Sequence, residues 1–214
     1  MLYTRLDACT VSRMRQAAPS QETRDRLIAA ARTVISRSGL RGARMEDIAA
    51  EAGVSRAAVY YHFNSKDDLA AALVDDIFKG ITAAVRSALA DGPIDGVIRA
   101  TAEFFGRQVT LARLLIADMP TPVDHERVLG HHREELLGLL RERLRVDMEN
   151  GHIRVCDVDV AAAALAGLMR VTPIELIAGK PIDLAHFTEE LCSFVRHALA
   201  PTGHATAEPS HTGR

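Results

Sequence analysis

Cysteine is scarce in this 214-residue chain: Cys9, Cys156 and Cys192 are odd in number and in no paired spacing. That excludes a disulfide framework and a thiolate zinc site. Long apolar runs are also missing. The run Ala161–Leu165 falls far short of the roughly 18 to 20 residues that span a bilayer, so no membrane partner is expected. Met1–Pro19 alternates Arg5, Arg13 and Arg15 with single apolar residues and never builds the apolar stretch of a secretory signal, so the expected location is cytoplasmic. There is no Gly-rich phosphate loop, no His-Glu-x-x-His, no nucleophile elbow and no cysteine set in a motif. Neither an enzyme nor a bound cofactor is expected from such a chain. His125, His131, His132, His152 and Cys156 gather around one helical segment and its exit. Residues 125 and 132 are two turns apart and the adjacent 131 and 132 point about 100° apart, so these histidines read as a solvated face and not as metal ligands.

Hydrophobic residues make up 48% of the chain, enough for a packed core. The net charge of −2 conceals a division: the first 66 residues hold 11 Lys or Arg against 6 Asp or Glu, and the rest 15 against 22, so the two parts carry +5 and −7. A basic N-terminal third suits a polyanion and the acidic remainder does not. No run alternates with period 2 and no internal repeat is present, so the chain reads as all-α.

Apolar positions three and four apart predict helices from Ser20 to Ser38-Gly39, over Met45–Ala52 and Arg56–Phe63, and from Ser65 to Ala90 with a stripe at Leu69, Leu73, Ile77, Ile81, Val85 and Leu89. Further helices are expected over Ile94 to about Ala117, Asp124–Met148, Asp159–Ala178 and Asp183–Leu199, with a loop at Pro120-Thr121-Pro122. The resulting division is a flexible arm at 1–19, a three-helix domain at 20–66, a larger helical domain at 67–200 and a disordered Pro/Thr/Ser/Gly/His-rich tail at 201–214.

Met45–Phe63 carries the densest signal. Two short helices must cross nearly perpendicular over Gly53-Val54-Ser55. Ala49 is small enough for the close approach, Gly53 can take a positive φ, Ser55 can cap the second helix, and Ile48, Val54 and Val59 can fill the space between the two. The second helix then suits a DNA major groove, with Arg56, Ala57, Ala58 and Tyr61 toward bases and Tyr60 or His62 near phosphates. Arg56 is the favoured base reader, because a guanidinium can bond guanine O6 and N7 together. Lys66, with the free N–H groups at the start of the next helix, is expected to clamp a phosphate. The bland alternative for Tyr60, Tyr61 and His62 is a partly buried aromatic cluster.

Asp47-Ile48-Ala49, Ala52-Gly53-Val54-Ser55 and the run from Val59-Tyr60-Tyr61-His62-Phe63 through Asn64-Ser65-Lys66-Asp67-Asp68-Leu69 resemble the signature of the TetR family of regulators, over about Arg24–Leu69. The resemblance implies a three-helix DNA-binding domain, a larger helical ligand domain and a homodimer joined mainly by the last two helices. Two positions depart from the family pattern. Ala43-Arg44 stands where a hydroxyl residue usually caps the second helix, which leaves Arg44 as the phosphate contact, and Ala57-Ala58 stands where Gly-Thr often begins the recognition helix.

The larger domain offers an apolar interior with few polar groups, as small-molecule pockets do. Phe104, Leu115, Met119, Leu136, Leu139, Leu168 and Met169 are the candidate lining, with Arg107, Gln108 or Thr172 as polar anchors, for a small apolar or amphipathic ligand. Ala161, Ala164 and Gly167 on the penultimate helix, and Leu184, Phe187, Leu191, Phe194 and Val195 on the last, are the candidate dimer face. The expected function is a repressor that a ligand releases from a palindromic double-stranded DNA operator. The rivals are a regulator of the same fold that answers to no ligand or activates, and a helical enzyme.

Overall fold

A computed structural model describes residues 19–114, 122–178 and 181–201, and among them every regular element is a helix. The arm at 1–19, apart from Pro19, the loop residues before Pro122, the tail after Pro201, and Leu115 and Met119 lie outside the described residues.

Helix α1 (Pro19–Gly42) buries Leu27, Ala31 and Ile35. At Gly39 the backbone reaches φ 68°, ψ 167°, which interrupts the helix at the expected stop. One further turn carries Leu40 back into the core and closes when the Ala43 N–H donates to the Gly39 carbonyl at 3.1 Å. Helices α2 (Met45–Ala52) and α3 (Arg56–His62) follow, and then α4 (Lys66–Asp91). The Ser65 hydroxyl accepts from the Asp68 N–H at 3.1 Å while the Asp68 carboxylate accepts from the Asn64 N–H at 3.0 Å, a reciprocal cap that starts α4 cleanly. Leu69, Leu73, Ile77, Ile81 and Val85 are buried along one face of its 26 residues. At 1.5 Å per residue α4 is about 39 Å long and reaches from the short helices into the larger bundle.

The bundle departs from expectation at two breaks. The segment read as one helix from Ile94 to about Ala117 is instead α5 (Gly96–Gly106) and α6 (Val109–Arg113). A Cβ on Gly106 would stand 2.7 Å from Leu184 Cδ2, so this glycine admits the start of a distant helix. The Arg107 and Gln108 N–H groups turn back to the Glu103 and Phe105 carbonyls, and the Gln108 side chain is pinned to α1 by an Arg32 N–H at 2.9 Å. Helix α7 (Pro122–Glu149) begins two residues before Asp124, with proline at the first helical position, where its missing N–H costs nothing. The segment read as one helix over Asp159–Ala178 is α8 (Val158–Met169) and α9 (Val171–Ile177). The Arg170 N–H bonds the Gly167 carbonyl in a tighter turn, and Pro173 has no N–H for the Met169 carbonyl. Helix α10 (Leu184–Leu199) is capped by Asp183, whose carboxylate accepts from the Ala185 and His186 N–H groups at 3.1 Å.

Val158–Ile177 is, at 20 residues, long and apolar enough by composition to cross a membrane. Counting consecutive apolar residues does not register it, because polar residues interrupt the run. In this fold it is a helix pair bent at Arg170 that buries Ala162, Leu165 and Met169 inward, with contacts to α7 and α5. A part-buried ion pair links α5 and α10: the buried Asp95, ahead of α5, accepts from the exposed Arg196 of α10 at 2.7 Å. Arg196 and Arg99 also donate to Glu189, and these two bonds hold its carboxyl below the usual carboxylate range.

Candidate nucleic-acid interface and adjoining cavity

Between α2 and α3 the local chemistry is satisfied by the turn itself. Gly53 sits at φ 65°, ψ 37°, its N–H donates to the Ala50 carbonyl at 3.1 Å, and the Val54 N–H donates to the Ala49 carbonyl at 3.0 Å. The Ser55 hydroxyl accepts from the Ala58 N–H at 3.1 Å and starts α3. Ile48, Ala49 and Val59 are buried at the crossing, Val54 packs on the same core, and Arg26 of α1 donates to the Ala52 carbonyl. The α3 backbone is therefore fixed by its cap and by its crossing with α2, whose end Arg26 holds in turn. Its outward face can meet a groove without first being ordered.

That face presents Arg56, Ala57, Tyr60 and Tyr61, with Ala58 and His62 half-buried beside them and Arg44 exposed at the start of α2. Tyr61 is 81% exposed and touches only the edge of the His62 ring, at 5.1 Å between centroids, so it projects into solvent and not into an aromatic cluster. The buried aromatic here is Phe63, 1% exposed, with the Arg24 guanidinium 5.1 Å from its ring centroid. Arg44 makes no side-chain cap to α2, in line with the missing hydroxyl at this point.

Two contacts refine the expected roles. Arg56 lies 3.1 Å from Glu46 and 5.5 Å over the Tyr60 ring, and its bond with Tyr60 and the charge of Glu46 raise its pKa further. In the free chain the Arg56 guanidinium thus rests against α2. Glu46 could not be picked out in advance, because the ten-residue separation crosses a turn and follows no helical period. Lys66 differs from the expected phosphate clamp: its ammonium donates to the Arg41 carbonyl at 3.2 Å and the Ala43 carbonyl at 3.4 Å. The last carbonyls of a helix lack partners, and a cation beside them is favoured by the helix dipole. Lys66 is thereby a tie between α4 and the α1–α2 turn.

A cavity of about 280 Å³ lies among α4, α5, α7, α8 and α9. Of the residues expected to line a pocket, Leu136 and Met169 do so. Phe104 and Arg107 instead face a separate groove beside Arg99, where Phe104 lies against Gly80. Gln108 is engaged by Arg32. Thr172 is buried with its hydroxyl unpartnered, and Leu139 and Leu168 are half-buried, none of the three on the cavity wall. Phe78, Ile81, Thr101, Phe105, Arg133 and Arg170 form much of the wall and were not anticipated. A continuous helix through residue 108 groups Phe104 with Arg107 and Gln108 on one face, whereas α5 turns Thr101 and Phe105 to the cavity. Behind Phe78, His132 is 4% exposed, stacked on that ring at 5.3 Å and 2.9 Å from Asp75, so it is a core residue and not part of a solvated histidine face. Burial acts to raise the Asp75 carboxyl, but its bonds with Lys79 and His132 prevail and hold it below its ordinary value.

On the expected dimer face Ala164 and Gly167 are exposed, as is Phe194 at 61%, while Ala161, Leu184, Phe187 and Leu191 are half-buried. Val195 is a correction: it is 1% exposed and faces the chain's own core, one position round α10 from Phe194. Val160 at 67% and Ile174 at 41% extend the exposed apolar stripe along α8 and α9.

The family model for bacterial regulatory proteins of the tetR family matches residues 27–73, the segment that builds this turn. The HTH-type transcriptional regulator CymR of Pseudomonas putida is 38% identical over 98 residues, 44% of this chain and 48% of that one. The chain thus spans about half the length of this curated relative. Among solved structures, the fatty acid degradation regulator FadR of Bacillus halodurans superposes with a TM-score of 0.69 at 21% identity, over 80% of this chain and 93% of that one. The transcriptional regulator FadR of Bacillus subtilis, in complex with stearoyl-CoA, gives 0.66 at 16%, over 79% and 96%. These two likenesses extend the shared fold beyond the matched segment into the larger helical bundle. The Gly53 turn and the Ser55 and Ser65 caps thus lie in a segment, residues 27–73, that matches the TetR family of bacterial regulatory proteins.

Proposed function

We propose that this chain is a homodimeric, cytoplasmic transcriptional repressor that binds a roughly palindromic operator and leaves it when a small molecule enters the cavity. The observation that carries the DNA-binding reading is the outward face of α3, where Arg56 and Tyr61 project from a helix whose own backbone is fixed by its cap and its crossing with α2. The basic charge of the first 66 residues supports it. Genomic footprinting with the purified chain tests it. Protection of a paired site, with half-sites about 34 to 36 Å apart, is expected. Arg44→Gln is expected to weaken binding to all sequences alike and to lower the salt slope by about 1. Absence of any salt-sensitive protected site refutes the reading.

A dimer is supported by the exposed apolar stripe of Val160, Ala164, Gly167, Ile174 and Phe194, since large apolar residues grouped on one face mark an interaction surface. Phe194→Arg is expected to convert a dimer to a monomer in sedimentation, with the helical spectrum retained. A variant that still sediments as a dimer removes Phe194 from the interface.

Helix α4 gives the response a physical route. Phe78 and Ile81 stand on the cavity wall, and Lys66, at the other end of α4, holds the α1–α2 turn. A ligand that favours a shifted α4 would carry Lys66, and with it the reading head, out of register with the operator. Only a difference in ligand affinity between the two positions of α4 can drive such a change.

A further inference from the structure

We infer that the cavity takes a compact organic anion, a carboxylate with an apolar body of about nine carbons, held by Arg133 and Arg170. This deepens the proposed function and rests on the cavity being the ligand site. Phe78, Ile81, Phe105 and Leu136 give the wall its apolar character. Among the described residues no carboxylate stands on it. Its charged groups are the two guanidiniums, one from α7 and one from the α8–α9 bend.

Arg133 and Arg170 are exposed, and their neighbours on α7 show how arginines here are otherwise paired. Arg141 bonds Asp159 at 2.6 Å, Arg143 bonds Asp147 at 2.9 Å and Arg145 lies 3.6 Å from Glu142. Arg133 and Arg170 have no such partner among the described residues. Their own helices supply none: the positions three and four away are Leu129, Gly130, Leu136 and Leu137 for Arg133, and Ala166, Gly167, Pro173 and Ile174 for Arg170. Two unneutralised guanidiniums beside an apolar space favour an anion, and a planar carboxylate matches a guanidinium's paired donors. The Thr101 hydroxyl donates to the Val97 carbonyl at 2.8 Å, so toward the cavity it can only accept, which limits it to a hydroxyl or amide on the ligand. Size sets the body. At about 30 Å³ per water-sized group, 280 Å³ holds about nine such groups.

Titration calorimetry on the full chain tests this with two matched pairs, decanoate against 1-decanol and 4-phenylbutyrate against 4-phenyl-1-butanol. Each has nine carbons beyond its polar carbon. At least one acid is expected to bind 10-fold or more tighter than its alcohol, and Arg133→Gln or Arg170→Gln to reduce that preference about 10- to 100-fold. A thermal melt of each variant separates this from loss of folding. If neither acid outbinds its alcohol, or if both variants keep the full preference, the inference is overturned. Operator protection measured on the same preparation without any acid keeps the two readings apart. Its absence refutes DNA binding and leaves the anion site standing, whereas protection without acid preference refutes the anion site alone.

Discussion

Phe63→Ala is expected to remove about 3 to 5 kcal/mol from the stability of the reading head, and with it all operator binding near 37 °C. Phe63 is 1% exposed and ends α3 in an extended conformation, its N–H bonded to the Val59 carbonyl at 2.9 Å. Its ring fills the space where α1, α3 and the start of α4 converge, under the Arg24 guanidinium. Truncation leaves a cavity that the close-packed helices around it cannot collapse to fill. Since whole domains are stable by only about 5 to 15 kcal/mol, the loss is a large fraction of the total. A urea melt followed by circular dichroism measures it, and a shift below about 1 kcal/mol would show that the site relaxes. Tyr61→Ala, two residues earlier but 81% exposed, is expected to leave stability within about 0.5 kcal/mol while weakening operator binding. The contrast separates the aromatic that supports α3 from the one that α3 displays.

Arg56→Ala is expected to reduce operator affinity about 5- to 150-fold and to relax the base preference at one position of each half-site. Glu46→Gln is expected to act in the opposite direction. In the free chain the Arg56 guanidinium is shared between Glu46, at 3.1 Å, and the Tyr60 ring, and it must leave the carboxylate before it reaches a base. The pair is solvent-exposed and therefore weak, so its release should tighten binding by less than about fivefold. Combining the two substitutions should abolish the gain, because Glu46 would have nothing left to restrain. Quantitative footprints at fixed salt read all three variants. An Arg56→Ala footprint with unchanged affinity and sequence preference would assign base readout to another residue.

The α2–α3 turn could be read in advance because its determinants are local. Gly53, Ser55, Ser65 and the spacing of Ile48, Ala49 and Val59 act over one or two turns of backbone, and the observed ends of α2 and α3 fall within one residue of expectation. The α4 stripe was legible for the same reason, since burial repeats every three or four residues along it. That Arg44 and Arg56 stand exposed beside the turn was legible from their positions alone. What Arg56 is bonded to was not, because Glu46 meets it only after the chain has turned.

The larger bundle shows where local rules stop. Gly106 and Pro173 stand near the two breaks, but each is isolated and neither forms a loop signal such as Gly-Pro or Asn-Gly. The first break follows from Leu184 pressing on Gly106 and from Arg32 holding Gln108, contacts made across 78 and 76 positions of sequence. The cavity wall depends on those breaks, so Phe105 faced it in place of Phe104, and Arg133 and Arg170 came to share it from different helices. Val195 turned inward for a related cause: periodicity finds the apolar face of α10 but does not say how much of it the same chain covers. By itself the sequence determined the class of fold, the positions of the caps and turns, and the α2–α3 turn within the segment that matches the TetR family, because each depends on backbone hydrogen bonds and φ angles within a few residues. Only the tertiary structure decided where the long helices break, which side chains enclose the cavity and that Lys66 serves α1, because each depends on which distant surface arrives at van der Waals distance.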